Sequence, residues 1–184
     1  MTARLILLNG PPGIGKSTIA RRYVADHPLA LCLDLDSVRR LIGRWEEHPI
    51  EAGLLARAMS VEMARVHLTS GHDVVIPQYL GRPQFLSDLE TVARECAAEF
   101  DEFVLMDGRD ESVRRFLDRT SDAATEAHVE AGRLVERLGG RVALEAMYDR
   151  LLLVLSHRPA ARVIQSRAGA PDDVYSELAA QLRS

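Results

Sequence analysis

Lysine is almost absent from this chain. Lys16 is the single lysine among 23 basic residues, and every other one is arginine. A coding bias toward arginine explains the general excess, because arginine replaces lysine readily on a solvated surface. The exchange is not tolerated where a compact ammonium must fit against phosphate groups. The one lysine therefore indicates a position with a specific chemical task.

Cysteine and long apolar runs are also scarce. The two cysteines, Cys32 and Cys96, have neither metal-binding nor redox spacing, so we expect free thiols in a reducing compartment. No apolar run approaches the ~20 residues of a membrane span. The first ten residues, "MTARLILLNG", contain an apolar run too short for a signal peptide and typical of a strand. These features predict a cytoplasmic protein without a membrane segment.

The chain has no excess of positive charge. Its net charge is −4 and its pI is about 5.9, so no global basic field is available to collect nucleic acid. Its 184 residues, 47% of them hydrophobic, fit a single domain over 1–184. A monomer and a homodimer both stay open at this stage.

Apolar runs alternate with amphipathic runs along the whole chain. Repeated strand and helix segments predict an α/β fold, a five-stranded parallel sheet with helices on both faces. The strands are nearly continuous apolar runs, as expected when both faces of a sheet are buried. The predicted strands are 4–8, 29–36, 73–77, 100–107 and 161–165. The predicted helices are 16–26, a short one beginning at Ser37 as N-cap, 50–69, 82–99, most of 110–156 with interruptions at 120–125 and 138–140, and 172–183.

A phosphate-binding loop lies between the first predicted strand and the first predicted helix. "GPPGIGKS", residues 10–17, fits G-x-x-x-x-G-K-[ST] in full and in the required context. Its glycines allow backbone N–H groups to converge on phosphate oxygens at a helix N-terminus. The predicted cofactors are ATP and Mg²⁺. The predicted nucleotide contacts are Gly10, Pro11, Pro12, Gly13, Ile14, Gly15, Lys16, Ser17 and Thr18, with Lys16 on the β- and γ-phosphates, Ser17 on Mg²⁺ and Thr18 near the α-phosphate.

This stretch resembles the start of P-loop kinases of the nucleoside-monophosphate-kinase-like superfamily. Similar proteins include small AAA-type ATP-binding, zeta-toxin-like, chloramphenicol-phosphotransferase-like and tunicamycin-resistance-like kinases. The resemblance implies the P-loop NTP hydrolase fold with a helical lid. It also implies transfer of the γ-phosphate of ATP to a hydroxyl group.

Two aspartates in "CLDLDSVRR", residues 32–40, are candidates for the acceptor end. Ligands bind at the carboxyl ends of strands in open α/β sheets, and side chains two apart on a strand share a face. Asp34 and Asp36 are therefore expected to point the same way. The pair is similar to the Asp-x-Asp of shikimate-kinase-like enzymes, which implies that Asp34 helps to hold Mg²⁺ and Asp36 lies at the acceptor hydroxyl.

Asp36 and Arg39 also form an Asp-x-x-Arg, which resembles polynucleotide kinases and chloramphenicol-phosphotransferase-like proteins. The resemblance implies that Asp36 orients the attacking hydroxyl or takes its proton. Arg39, or else Arg40, would bind an anionic or polar part of the acceptor. The alternative is that Asp36 only caps the helix beginning near Ser37.

The third predicted strand, "DVVIPQYL", lacks the acidic residue that many P-loop proteins place at its carboxyl end. Asp73 is at the opposite end, and Pro77 and Gln78 stand at the usual position. This departure argues against a motor-type ATPase. We expect Gln78, Tyr79 and Arg82 to line the acceptor pocket, the alternative being an ordinary connection between strand and helix.

Residues 109–141 are the predicted lid. Arg115 and Arg119 are four apart and share a helix face. The resemblance implies that lid arginines clamp the transferring phosphoryl group, with Arg133 and Arg137 as further candidates. Seven arginines and seven acidic residues balance in this segment, so a salt-bridged, solvated helix pair is the alternative. By the same resemblance, residues 166–175 lie where the adenine is held.

The function expected from these features is that of an ATP-dependent kinase acting on a small-molecule hydroxyl, in a nucleoside or nucleotide, a sugar or an antibiotic. A polynucleotide 5′-hydroxyl kinase is the alternative suggested by Asp36 and Arg39, and the acidic balance argues against that nucleic-acid partner. A non-kinase ATP-binding or ATPase switch is the alternative from another class.

Overall fold

A five-stranded parallel sheet forms the centre of the molecule, which we describe from a computed structural model over residues 2–121 and 126–183. The strand order is β2-β3-β1-β4-β5. This confirms the predicted sheet and places the strand before the phosphate loop in the middle. The strands are β1 (Arg4–Asn9), β2 (Leu31–Cys32), β3 (Val74–Pro77), β4 (Glu99–Met106) and β5 (Arg162–Gln165).

A helix follows each strand, and most helices lie within a few residues of their predicted bounds. Three of them have proline in the first turn, where no N–H is needed. Within the described ranges, none is long and apolar enough to cross a membrane. The predicted interruption at 120–125 falls partly on residues 122–125, outside the described residues. The helices are α1 (Lys16–Asp26), α2 (Leu35–Arg40), α3 (Pro49–Thr69), α4 (Pro83–Glu95), α5 (Arg109–Ser121), α6 (Glu126–Arg137), α7 (Arg141–Ser156) and α8 (Pro171–Leu182).

The central strand β1 is buried on both faces. Leu5 and Leu7 pack into a cluster with α3 and α4, while Ile6 and Leu8 pack into a second cluster with α1 and α8. Side chains on a strand alternate between faces, so one unbroken apolar run serves both layers. Burial of the strand fixes the position from which the phosphate loop starts.

The two helices of the predicted lid, α5 and α6, share a small core with α7, which follows the lid. Val113 and Phe116 of α5 pack with Val135 of α6 and Leu144 of α7. Leu151, further along α7, packs on β4. These three helices are thereby held beside the carboxyl ends of β1 and β4, where a ligand of this sheet would bind.

The second strand differs from its prediction. A strand over 29–36 was expected, and only Leu31–Cys32 is extended within the sheet. The Asp34 carboxylate accepts hydrogen bonds from the backbone N–H groups of Asp36 (2.9 Å) and Ser37 (3.4 Å), which makes it the N-cap of α2. The predicted cap at Ser37 is wrong, and so is the prediction that Asp34 and Asp36 share a strand face. An aspartate that can cap competes well with strand pairing.

Candidate functional site

The phosphate loop is packed tightly between β4 and α5. A Cβ atom on Gly10 would lie 2.5 Å from the carbonyl oxygen of Leu105, and one on Gly13 would lie 2.9 Å from the Cα atom of Phe116. Both glycines also have positive φ, at 145° and 82°. Both conformation and space therefore require glycine at these positions, and the neighbouring elements hold the loop in shape.

Asn9 anchors the start of the loop. Its side chain is fully buried at the end of β1, donates to the carbonyl oxygen of Leu80 (3.3 Å), and accepts from the N–H groups of Leu80 (2.9 Å) and Gly10 (2.8 Å). The loop is thus tied to the segment after β3. Asn9 was not among the predicted site residues, although a polar residue ending an apolar strand was an available signal.

Lys16 lies at the first turn of α1 and folds back onto the loop. Its Nζ donates to the carbonyl oxygens of Gly10 and Pro11, at 2.8 Å each. Burial and the nearby charge of Arg119 lower the pKa of Lys16 to about 7, against the opposing effects of Asp36 and Asp34. Four predicted site residues, Lys16, Asp34, Asp36 and Arg119, are thus within electrostatic reach of one another.

Arg119 on α5 is a cation without an acidic partner among the described residues. Its Nε atom is buried and makes no hydrogen bond with any described residue. Burial, with Arg115 and Arg21 adding positive charge, lowers the pKa of Arg119. Burial, followed by the charges of Arg119 and Arg21, lowers the pKa of His128 on α6. Positive groups of α1 and α5 therefore lie close together beside the phosphate loop.

Arg21 was not among the predicted site residues. It lies three residues after Thr18 on α1, on the same helix face, and that spacing was the available signal. Its charge acts on both Arg119 and His128.

Arg115 shares a helix face with Arg119, and its donors are engaged with the protein itself. Its guanidinium donates to the Asp107 carboxylate (3.1 Å) and to the carbonyl oxygens of Ser166 (2.5 Å) and Ile14 (3.3 Å). The Ser166 hydroxyl also donates to Ile14, at 3.0 Å. Arg115 therefore joins the phosphate loop to the segments that follow β4 and β5.

A cavity of about 440 Å³ opens beside the phosphate loop. It lies between the loop, α5 and the segment after β5, which is the region expected to hold the adenine. The size is typical of small-molecule sites. Its lining consists of Gly13, Ile14, Gly15, Thr18, Ile19, Arg114, Arg115, Asp118, Arg119, Ser166, Arg167, Ala168, Gly169, Pro171 and Val174.

On α2, Asp36 and Arg39 form an ion pair of 3.1 Å. Arg39 also lies 3.3 Å from Glu130 on α6, and its guanidinium stacks 4.5 Å from the centre of the Trp45 ring. The Asp36 carboxylate is half exposed, yet burial raises its pKa, with Arg39 and Arg40 opposing and Asp34 and Glu130 reinforcing the rise. Asp36 and Arg39 are thus held together on α2, within electrostatic reach of Lys16.

A second cavity, of about 340 Å³, separates α6 from the connection between α2 and α3. Arg133 and Arg137 line this cavity, together with Trp45, Glu46, Pro49, Val129, Glu130 and Leu134. The structure therefore places these two arginines by Trp45, while Arg119 lies by the phosphate loop.

The residues after β3 take other positions. The Tyr79 hydroxyl donates to the carbonyl oxygen of Met147 (3.0 Å), and its ring packs near Leu151 of α7. Gln78 donates its N–H to Leu8 (3.1 Å), and Arg82 is exposed just before α4. Neither of the two cavities is lined by these three residues. Tyr79 turns toward α7 because its hydroxyl finds a carbonyl partner there.

The sheet order, the loop and the helices beside it define a P-loop kinase-like fold. The protein-family model of the AAA domain, AAA_33, matches residues 5–138, and the chain belongs to that family. The match contains the phosphate loop, α2 and the whole of α5, including Arg115 and Arg119.

Solved structures of low sequence identity share this fold, and curated relatives match part of the chain. The chain is 36% identical over 110 residues to the uncharacterized proteins Rv2004c of Mycobacterium tuberculosis and Mb2027c of Mycobacterium bovis. This stretch is 53% of the chain and only 21% of the length of each relative. A candidate kinase from Chloroflexus aurantiacus superposes with a TM-score of 0.67 at 14% identity, covering 99% of this chain and 97% of that one. The tunicamycin resistance protein of Deinococcus radiodurans gives 0.62 at 15% identity, covering 98% and 95%.

Proposed function

We propose that the chain is an ATP-dependent phosphotransferase that moves the γ-phosphate of ATP to a hydroxyl group of a small molecule. The observation that carries this proposal is the cluster of cations around Lys16. The charge of Arg119 on α5 acts on Lys16 at the start of α1, and Arg119 has no acidic partner among the described residues. A partly buried cation without an acidic partner is costly, so a polyanionic ligand would stabilise this site.

A nucleoside triphosphate fits this requirement and the adjoining cavity. Its base and ribose would enter the space of about 440 Å³ between the loop and the segment after β5. Lys16 would leave the carbonyl oxygens of Gly10 and Pro11 and bind the β- and γ-phosphates. Arg119 would stabilise the charge that spreads over the transferring phosphoryl group.

Ser17 and Asp34 are the residues that would hold Mg²⁺. The Ser17 hydroxyl stands at the start of α1, and Asp34 uses only Oδ1 to cap α2. No hydrogen bond to Asp34 Oδ2 is found in the described part of the chain, so that oxygen is available for a metal-bound water. Oxygen ligands of this kind suit Mg²⁺, which supplies charge neutralisation on the phosphates when bound.

The acceptor would lie against α2. Asp36 would orient its hydroxyl group or take its proton, and Arg39 or Arg40 would bind an anionic or polar part of the same molecule. Arg115 would act indirectly, by holding the phosphate loop and the segment after β5 in place. A nucleoside or nucleotide, a sugar and an antibiotic are the acceptor classes to test, and the likeness to a tunicamycin resistance protein keeps antibiotics among them.

The test is transfer of label from γ-labelled ATP with Mg²⁺ to separate pools of nucleosides, sugars, antibiotics and a 5′-hydroxyl oligonucleotide. Lys16→Ala and Asp36→Asn are compared with Glu136→Gln, a charge change at an exposed site on α6. We expect label in one pool, lost in the first two variants and kept in the third. Label released only as free phosphate, unchanged by Asp36→Asn, would contradict a kinase.

A further inference from the structure

Glu130 of α6 is bound by two arginines of α2. Its Oε1 lies 3.3 Å from Arg39, and its Oε2 lies 3.3 Å from Arg40. The side chains of Glu130 and Arg39 are only 19% and 18% exposed. One carboxylate therefore occupies the space between two guanidinium groups that would face the acceptor.

Glu130 does not use all the hydrogen-bond donors of the two arginines. The Nε atom of Arg39 is buried and has no hydrogen-bond partner among the described residues. Charge-assisted hydrogen bonds are usually about 2.7–2.9 Å long, and a carboxylate or phosphate often engages an arginine with two parallel bonds. The 3.3 Å contacts of Glu130 lie outside that range. A free anion could use the unpaired Nε atom, which Glu130 leaves unused.

There is room beside Glu130 for a ligand to enter. The cavity of about 340 Å³ separates Trp45 and Pro49 on one side from Val129 and Leu134 of α6 on the other. Leu134 is 41% exposed, so part of the apolar surface of α6 is accessible here. The ion pairs between Glu130 and α2 thus lie at the edge of this cavity.

We propose that Glu130 occupies the subsite for an anionic group of the acceptor, and that the acceptor displaces it to bind. This inference rests on the proposed function, because it concerns the acceptor of that reaction. The acceptor then carries a carboxylate or phosphate group close to its reactive hydroxyl. Arg39 contacts both Asp36 and Glu130, so an anion that replaces Glu130 on Arg39 lies next to Asp36. Glu130 thereby selects for acceptors whose anion competes with its own carboxylate.

Trp45 provides the readout, because it is the single tryptophan and stacks on Arg39. The protein, saturated with ADP and Mg²⁺, is titrated with D-glycerate, with glycerol 3-phosphate and with uncharged glycerol while its fluorescence is recorded. The chain is compared as wild type, as Glu130→Gln and as the control Glu136→Gln. D-glycerate carries a carboxylate and glycerol 3-phosphate a phosphate, so comparing their affinities shows which group the subsite prefers.

We expect Glu130→Gln to bind at least one of the two anions about tenfold more tightly than wild type, because the internal competitor is removed. Glu136→Gln should behave as wild type, and glycerol should bind equally to all three. Unchanged or weaker anion binding by Glu130→Gln would overturn the proposal. So would an equal gain for glycerol, which is the result of a merely loosened α6.

Two controls distinguish a failure of this proposal from a failure of the proposed function and from unfolding of the variant. Titration with ADP and Mg²⁺ reports on the phosphate loop alone, so a wild-type chain that fails to bind ADP counts against the proposed function. If Glu130→Gln unfolds, Glu130→Asp keeps the charge and shortens the side chain by one methylene. Glu130→Asp should also bind the preferred anion more tightly, since its carboxylate reaches the two arginines less well, and no gain in that variant would overturn the proposal.

Discussion

The Asp36 carboxylate lies 3.1 Å from the guanidinium of Arg39, one turn further along α2. A pair at this spacing on one helix keeps its geometry when the helix moves as a unit. The acid proposed to act on the acceptor hydroxyl and the arginine proposed to hold the acceptor are thus positioned together. Asp34 caps the same helix and sets where it begins.

Asp36→Asn should reduce phosphate transfer by roughly 10²–10⁴-fold, the usual contribution of a positioned acid or base. The affinity for ADP should stay the same or rise, because a negative charge near the phosphates is removed. Labelled transfer and isothermal titration with ADP measure the two effects. Asp34→Asn is the matched comparison, since asparagine also caps helices. It should keep α2 intact and raise the Mg²⁺ concentration needed. Full transfer by Asp36→Asn would rule out its proposed role.

Lys16 should take up a proton when a nucleotide binds. Burial and Arg119 lower its pKa to about 7 in the ligand-free protein, whereas phosphates favour the charged form. At about pH 8 most Lys16 is neutral before binding, so uptake should approach one proton per site. At about pH 6 uptake should be small. Titration with ADP and Mg²⁺ in buffers of different ionisation enthalpy measures this. Lys16→Met should lose the uptake, and uptake persisting in that variant would assign it to another group.

The same lowered pKa predicts how stability depends on pH. Between pH 7 and pH 10.5 the unfolded chain binds a proton on Lys16 that the native chain lacks. The contribution of Lys16 to the free energy of unfolding should therefore rise with pH across this window, and its destabilising effect is complete below pH 7. Denaturant unfolding of wild type and Lys16→Met over this range isolates the contribution. A difference that does not vary with pH would contradict the lowered pKa.

Arg119→Met should stabilise the ligand-free protein while it slows the reaction. The substitution keeps the apolar stem and removes a cation that has no acidic partner in the described part of the chain and that acts on Lys16. Loss of its charge in the transition state should cost about 10²–10³-fold in kcat. Thermal unfolding without ligand and kcat are the two measurements. Arg114→Met is the control, because Arg114 is exposed on the same helix and pairs with Glu111 and Asp118. A less stable Arg119→Met would argue against an unsatisfied charge.

The sheet and the phosphate loop could be predicted from the sequence because both depend on local patterns. The β1 run is apolar on both faces, and the loop motif fixes its own conformation through Gly10 and Gly13. The alternation in "LDLD" was ambiguous, because the same pattern suits a strand end and a capped helix. The hydrogen bonds of the Asp34 carboxylate decide between them, and a pattern of residue types does not show those bonds.

The neighbours of the site depend on contacts between distant segments. Glu130 meets Arg39 91 residues away along the chain, and Arg115 meets Ile14 101 residues away. No spacing rule relates such pairs. Arg115 and Arg119 were predicted together because they share a helix face. Their different surroundings follow from the carbonyl oxygens of Ile14 and Ser166, which only the packed structure brings to Arg115.

Arg115→Met should therefore act differently from Arg119→Met. Arg115 is only 16% exposed, and it donates to Asp107 and to two backbone carbonyl groups. Its loss should lower the free energy of unfolding by about 2 kcal/mol, typical of hydrogen bonds that involve a charged group. Affinity for ADP should also fall, because the phosphate loop and the segment after β5 lose their link.

Arg115→Lys should not restore either property, since a single ammonium on a flexible stem cannot reach acceptors in three separate segments. Denaturant unfolding and titration with ADP provide the test, with Arg114→Met again as the exposed control on α5. If Arg115→Met kept its stability and ADP affinity but lost kcat, Arg115 would contact the transferring phosphoryl group directly. Rescue by Arg115→Lys would likewise show that a positive charge, and not the link between segments, is what the site needs there.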